Sequence, residues 1–361
     1  MKKIKLFDPF VTTKEINYLK NAFKSKSWAS GAGTNYVNMF ERKFQKYIKA
    51  KSCVTVNSGT AALHLALSVA NIKNKEVLLP SLSFVSTAHA VVYNGGKVTF
   101  VDVDPNTLCM DPQEIEKKIN RNTQVILPVH FAGFSADLNK LRNLADGKIL
   151  LIEDAAHAAG SSFNGKKIGS HGDLVCFSFH PVKNLAMPTG GLISINNQEH
   201  QKIRKSLLSR RWCGITDRQD DYYDVKELGW NFYMNELSAA VGLGQLEMLD
   251  KMNSKRRHIA KRYHNEINLE RKMSYHKDCS YHFYWIITKN REEFRKKLKS
   301  VGIETGTHYR PIHTMTFYKN IKAKLPVTEE VGKQIVSLPT HPNLTEHDVD
   351  LIINHVNKFS T

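Results

Sequence analysis

CVTVNSGTAALHLALSVA, residues 53–70, carries two periodicities in one short stretch. Cys53-Val54-Thr55-Val56 is a β-branched run of strand type. Asn57-Ser58-Gly59-Thr60 interrupts it, and Ala61 to Ala70 is apolar and helix-forming. A strand passing through a glycine turn straight into a helix predicts an α/β architecture. Working outward, strand-like runs recur at 76–79, 97–101, 123–129, 148–152, 174–178 and 191–195, separated by helix-like segments. Most are apolar on both faces, as strands covered by helices on each side must be. Such alternation predicts a mostly parallel central sheet with right-handed crossovers.

After residue 200 the texture changes. A polar, aromatic-rich stretch (210–229) leads to a helix over 234–249, with Leu237, Val241 and Gln245 at helical spacing. A basic helix follows, then a strand at 281–288, a helix at 292–300, a loop at 302–311 and a closing helix near 346–358. The expected division is a large domain over 1–250, including the amino-terminal segment, and a smaller α/β domain over 251–361.

Composition sets outer bounds. The chain has 361 residues, 41% hydrophobic and 24% charged, which is a globular balance. No apolar run approaches the roughly 18–20 residues of a membrane span. The amino terminus starts basic but meets Asp8 and Pro9 without an apolar core, so no signal peptide is expected. Five cysteines lie scattered without CxxC spacing, which speaks against a disulfide framework or a zinc ribbon and for a cytoplasmic setting. No metal site is expected.

The charge is the anomaly. Lys+Arg number 52 against 34 Asp+Glu, a net +18. Residues 251–300 hold 15 basic against 5 acidic side chains, more than half of that excess. Lys255-Arg256-Arg257 and Lys261-Arg262 there fit a solvated helix face. The chain has no zinc finger, basic zipper or RNP-like signature, so neither nucleic acid nor membrane is expected as a partner.

Two phosphate motifs fail on inspection. GSSFNGKK (160–167) ends in Lys167 where a P-loop needs a hydroxyl for Mg²⁺. Gly31-Ala32-Gly33 is followed by Tyr36 at the third glycine position, with no strand before it.

Three other segments carry chemistry. The turn Asn57-Ser58-Gly59-Thr60 opens a helix, whose free amides suit a phosphate by ~0.3–1 kcal/mol. By itself it reads more simply as a strand–turn–helix with a Ser/Thr cap. Leu151-Ile152-Glu153-Asp154-Ala155-Ala156-His157 ends an apolar strand in carboxylates, where open α/β sheets bind ligands. Phe177-Ser178-Phe179-His180-Pro181-Val182-Lys183-Asn184 presents a lysine past another strand, with Gly190-Gly191 following. Desolvation there would free the amine for attack on a carbonyl. Each alone has a bland structural explanation. A phosphate anchor, a carboxylate for a pyridine nitrogen and an amine for an aldehyde together are what pyridoxal 5′-phosphate requires.

The chain resembles the DegT/DnrJ-type sugar-nucleotide aminotransferases, within the fold type I pyridoxal-phosphate enzymes. The likeness lies in NSGTAALHLAL (57–67), PSLSFVSTAHAV (80–91), FVDVDPNTLCMDPQEIE (100–116), PVHFAG (128–133), IEDAAHAAG (152–160), FSFHPVKN (177–184), LGWNFYMNELSAAVGLGQLE (228–247) and HYRPIH (308–313). It implies that Lys183 bonds covalently to the cofactor and shuttles a proton, while Asp154 pairs with the pyridinium nitrogen. It implies His157 near the phenolic oxygen, Phe84 stacked on the ring, and Gly59, Thr60, Ala61 and Ser178 around the phosphate. Asn231 resembles a residue that reaches the phosphate of a neighbouring subunit, which implies a homodimer with shared sites. His308, Tyr309 and His313 resemble the loop lining a sugar pocket.

The implied reaction moves an amino group from L-glutamate, leaving 2-oxoglutarate, to a keto group of a nucleotide-diphosphate deoxysugar, at C-4 rather than C-3, for amino-sugar and surface-glycan synthesis. The sequence departs from the family at Pro188-Thr189, where Gly-Glu is frequent, at His157, where Gln is common, and at Tyr233, where Arg is common. Alternatives are a sugar dehydratase on the same cofactor, or a basic regulatory or nucleic-acid-binding protein of this fold. Related dehydratases replace the lysine by histidine, and Lys183 favours transamination.

Overall fold

The computed structural model describes residues 3–219 and 221–360. Before the first strand lie helices α1 (Thr13–Lys24) and α2 (Asn35–Ile48). Thr12 and Glu15 form a capping box that starts α1. Five strands then alternate with helices: β1 (Ser52–Val56), α3 (Gly59–Ser68), β2 (Glu76–Pro80), α4 (Ser86–Tyr93), β3 (Lys97–Val101), α5 (Pro112–Glu116), β4 (Thr123–Ile126), α6 (Leu138–Ala145) and β5 (Leu150–Asp154). A small hairpin, β6 (Ser162–Phe163) with β7 (Lys166–Lys167), precedes β8 (Leu174–Ser178) and β9 (Gly191–Ile195). Helix α7 (His200–Arg210) and a hairpin of β10 (Ile215–Gln219) and β11 (Tyr222–Val225) lead to the 31-residue α8 (Glu236–Glu266).

The main sheet has seven strands in the order β1-β9-β8-β5-β4-β2-β3. It is parallel except for β9, which runs antiparallel to both β1 and β8. Parallel neighbours need a crossover of about a dozen residues or more, usually helical. The segment 179–190 between β8 and β9 contains no helix and returns from the end of β8 to the adjacent β9, which runs back antiparallel.

Both faces of the sheet are covered, as the doubly apolar strands require. Val54, Val56, Leu79, Val125 and Ile152 pack with α3 and α4 on one side. Cys53, Leu78, Ile126, Leu151 and Val175 pack with α2, α6 and α8 on the other. Helix α2 has no side-chain cap of its own. The buried Glu236 at the start of α8 supplies it, accepting from the Thr34, Tyr36 and Val37 amides at 2.9, 2.7 and 3.1 Å.

Helix α8 runs unbroken across residue 250. Beyond it, β12 (Tyr284–Ile287) pairs antiparallel with β13 (Ile335–Leu338), flanked by α9 (Arg291–Ser300), α10 (Pro326–Gln334) and α11 (Glu346–Ser360). The amino terminus joins this region, since Ile4 bridges Ile303. The sheet's second core continues without a break into it through Ile259, Tyr263, Ile286 and Ile353.

The basic helix differs from a uniformly solvated face. Arg256 is only 4% exposed and donates to the Thr340 carbonyl at 3.1 Å. Position 256 falls on the stripe of Met252, Ile259 and Tyr263, whose spacing turns it inward. Burial pulls its guanidinium down to about 9. Its neighbour Lys255 is exposed.

Candidate active site

Strand ends β1, β2, β4, β5 and β8 meet at one sheet edge, where ligands of open α/β sheets bind. A cavity of ≈ 330 Å³ opens there, and among its walls are Gly59, Thr60, Phe84, Asp154, Ser178 and Lys183.

Its floor on one side is the start of α3. Ser58 caps the helix by accepting from the Ala61 amide at 3.1 Å, and the first-turn amides lack intrahelical acceptors. Gly59 is demanded by close approach: a Cβ there would lie 2.6 Å from the Ser178 Cβ. Gly191 is equally constrained, with Ser58 carbonyl oxygen 2.4 Å from the position of its absent Cβ. The Thr189 hydroxyl donates to the Asn57 carbonyl and ties the 179–190 loop to this turn.

Asp154 ends β5 and is 4% exposed. Its Oδ1 accepts from the Ala156 amide at 3.1 Å and its Oδ2 from the Thr87 hydroxyl at 2.9 Å. Burial pushes the carboxyl up, while these donors and the Lys183 ammonium pull it back. The adjoining Glu153 faces the other way, by strand alternation. It binds His130 Nε2 at 2.8 Å, both side chains being fully buried. The strand-end carboxylates are thus divided between pocket and core.

Lys183 hangs from the 179–190 loop into the cavity. Its amine makes no hydrogen bond or ion pair among the described residues. Burial pulls it down to about 8, against a smaller upward pull from Asp154. The next residue anchors the loop: Asn184 Nδ2 donates to Asn253 Oδ1 on α8 at 2.9 Å and to the Ser280 carbonyl at 2.8 Å.

An aromatic wall closes the far side. Tyr309 hydroxyl lies 3.0 Å from His157 Nε2, with the rings stacked 14° from parallel. His282 stacks on His157, centroids 4.6 Å apart. Burial, with Lys183 nearby, drives His157 well down and brings His308 to about 3, so both rings are neutral. Phe84 is 57% exposed at the mouth.

The cavity therefore gathers Gly59, Thr60, Phe84, Asp154, His157, Ser178, Lys183, His308 and Tyr309. Ala61 is buried behind its helix turn, and His313 lies outside the cavity wall, 2.7 Å from the Ser81 hydroxyl. Asn231 is exposed and also outside it, its carbonyl accepting from Asn57 Nδ2 at 3.3 Å. Sequence reasoning passed over Ser83 and Thr87, which stand one helical turn apart in the hydroxyl-rich run SLSFVST (81–87). That density of hydroxyls entering a helix was the available signal.

These residues fit pyridoxal 5′-phosphate. A glycine-only contact opens the helix terminus to an anion, a buried carboxylate has lone pairs to spare, and a desolvated amine stands unpartnered.

Comparisons with known proteins agree. Residues 9–357 match the DegT/DnrJ/EryC1/StrS aminotransferase family. The chain is 34% identical to the GDP-perosamine synthase of Escherichia coli O157:H7 over 99% of each chain. It superposes with a TM-score of 0.93 on the PLP form of Streptococcus pneumoniae Spr1654, assigned as a sugar aminotransferase, at 26% identity and 99% coverage of both chains. Sugar aminotransferase CalS13 of Micromonospora echinospora gives 0.91 at 29% identity, covering 98% of this chain and 99% of that one. The chain, with pyridoxal 5′-phosphate as its cofactor, belongs to the DegT/DnrJ/EryC1/StrS aminotransferase family.

Proposed function

We propose that this aminotransferase moves an amino group from L-glutamate to the C-4 keto group of a nucleotide-linked deoxysugar, in the synthesis of amino sugars for a surface glycan. The observation that carries the reading is Lys183, a desolvated amine pulled down to about 8 and facing Asp154 across one cavity.

The cofactor, when bound, supplies an aldehyde for the amine and a ring that withdraws electrons from the substrate carbon. Lys183 would supply the nitrogen that holds the cofactor's aldehyde and, once displaced by an amino donor, would move a proton at the substrate carbon. An amine titrating near pH 8 is poised for both tasks near neutrality. Asp154 keeps the pyridine nitrogen protonated. The first turn of α3, with Thr60 and Ser178, would hold the phosphate, and Phe84 would cover the ring. The neutral His157 and Tyr309 share a hydrogen bond on the cavity wall and would meet the cofactor's phenolic side without adding charge.

Asn231 lies outside the cavity, which supports its assignment to the site of a second copy in a homodimer. The large and small regions divide near residue 250, with α8 shared between them.

Purified protein should show visible absorbance from covalently held cofactor, bleached by glutamate and restored by a C-4 ketosugar nucleotide. Lys183→Ala should lose that absorbance. A variant that kept it, or an amine appearing at C-3, would overturn the corresponding part of the proposal. Release of a deoxysugar in place of an amino sugar would assign the chain to elimination.

A further inference from the structure

Asp154 is held by more than its own strand. Thr87 is fully buried in the first turn of α4, and its hydroxyl is 2.9 Å from Asp154 Oδ2. Ser83, just before the helix and 2% exposed, places its hydroxyl 2.8 Å from the same Thr87 oxygen. An ionised carboxylate only accepts hydrogen bonds, so Thr87 must donate to it. The Thr87 oxygen is then left to accept, and Ser83 must donate to Thr87. The order Ser83 → Thr87 → Asp154 follows with no freedom in it. Phe84 belongs to the same turn, so one short segment carries both the ring cover and the hydroxyl chain.

We propose that Thr87, backed by Ser83, is a positioning residue that keeps Asp154 ionised and aimed at the cofactor's ring nitrogen. A carboxylate this deeply buried is pushed toward its neutral form by desolvation. Two donors oppose that push, the Ala156 amide and the Thr87 hydroxyl, and only the second is a side chain that can be altered. Donation from Thr87 occupies Oδ2 on one side and leaves the remaining lone pairs for a protonated nitrogen. Loss of the hydroxyl leaves Asp154 with a single donor, weakens it as an anion and frees its χ2 rotation. The effect falls on the cofactor and spares the binding of the acceptor sugar.

The proposal rests on the pairing of Asp154 with the ring nitrogen, and the experiment separates the two. Holoenzymes carrying Thr87→Val, Thr87→Ser, Ser83→Ala and Asp154→Asn are compared with the parent. The readouts are cofactor dissociation constant, the ¹⁵N shift of the ring nitrogen across pH, and kcat and KM for the acceptor. Thr87→Val should weaken cofactor binding by ~10–100-fold and lower the pH at which the ring nitrogen loses its proton, as a lost charge-assisted hydrogen bond implies. Thr87→Ser should restore both to within about twofold, and Ser83→Ala should fall between, since it removes only the outer donor. The acceptor KM should hold while kcat falls.

A Thr87→Val enzyme matching the parent in nitrogen titration and cofactor affinity, while Asp154→Asn is impaired, overturns the role of Thr87. An Asp154→Asn enzyme with an unchanged ring nitrogen overturns the pairing and the proposal with it. If Thr87→Val does not fold, Ser83→Ala with a parental nitrogen titration overturns the relay.

Discussion

A lysine amine pulled to about 8 in the folded chain, against an ordinary 10.5, is a stability statement as well as a chemical one. Below pH 8 both folded and unfolded forms carry the proton, and the folded form bears the whole desolvation penalty. Between pH 8 and 10.5 only the unfolded chain is protonated, so the penalty shrinks as pH rises and vanishes above 10.5. In cofactor-free protein, Lys183→Met should therefore stabilise by roughly 1–3 kcal/mol at pH 7 and by nothing at pH 11, by chemical denaturation at both. An amine reagent should modify Lys183 with a midpoint near pH 8. That Lys183 and Asp154 share one cavity was legible in sequence, because Asp154 ends one apolar strand, Lys183 lies just past the end of another, and strand ends of this sheet share one edge. Thr87 was not, because its role depends on a donor-acceptor order across α4 and β5 that no spacing encodes. Arg256 was misplaced among solvated charges for a similar reason: only the partner surface decides which side of a basic helix turns inward.

At the scale of elements, the turn between β1 and α3 shows why its glycine matters. The motif alone reads as a capped turn, and the structure shows why its glycine is needed, since any side chain at 59 would strike Ser178. The helix pair α2 and α8 shows what sequence could not supply. Thr34 stands where a cap for α2 would be expected but makes no side-chain cap bond, and Glu236, some two hundred positions away, does the work. Glu236→Gln should lower unfolding free energy by about 2–4 kcal/mol, because one oxygen becomes a donor facing amides that are donors too. Denaturant unfolding of the variant against the parent measures it. Residual activity below the transition should stay near parental, as Glu236 lies outside the cavity. Most element types and their order over 50–200 follow from periodicity, whereas the reversed direction of β9 does not, since both β8 and β9 read as apolar runs whichever way they point. The continuity of α8 through residue 250 is equally a matter of which apolar stripe finds a surface.

For the whole molecule, more than half of the +18 falls in residues 251–300, none of which lines the cavity. Part of it is spent locally, as Arg262 meets Glu266, Glu346 and Asp350 at 2.7, 3.0 and 2.8 Å. Such a field draws anionic substrates from a distance and is screened over ~8–10 Å in ordinary salt. Raising salt from about 0.02 to 0.5 M should therefore increase the acceptor KM several-fold with kcat unchanged, by initial rates. Duplex DNA should show no binding of comparable steepness, and a steep log-log slope would point to a polyanion partner. The reversal of β9 has a last consequence at this scale. Four of the five parallel steps in the sheet lay a helix across one face, while the step from β5 to β8 carries only the β6–β7 hairpin. The single reversing step, from β8 to β9, also carries no helix, so the lysine's loop reaches the cavity as bare backbone whose position is set by Asn184 gripping Asn253 of α8 and the Ser280 carbonyl.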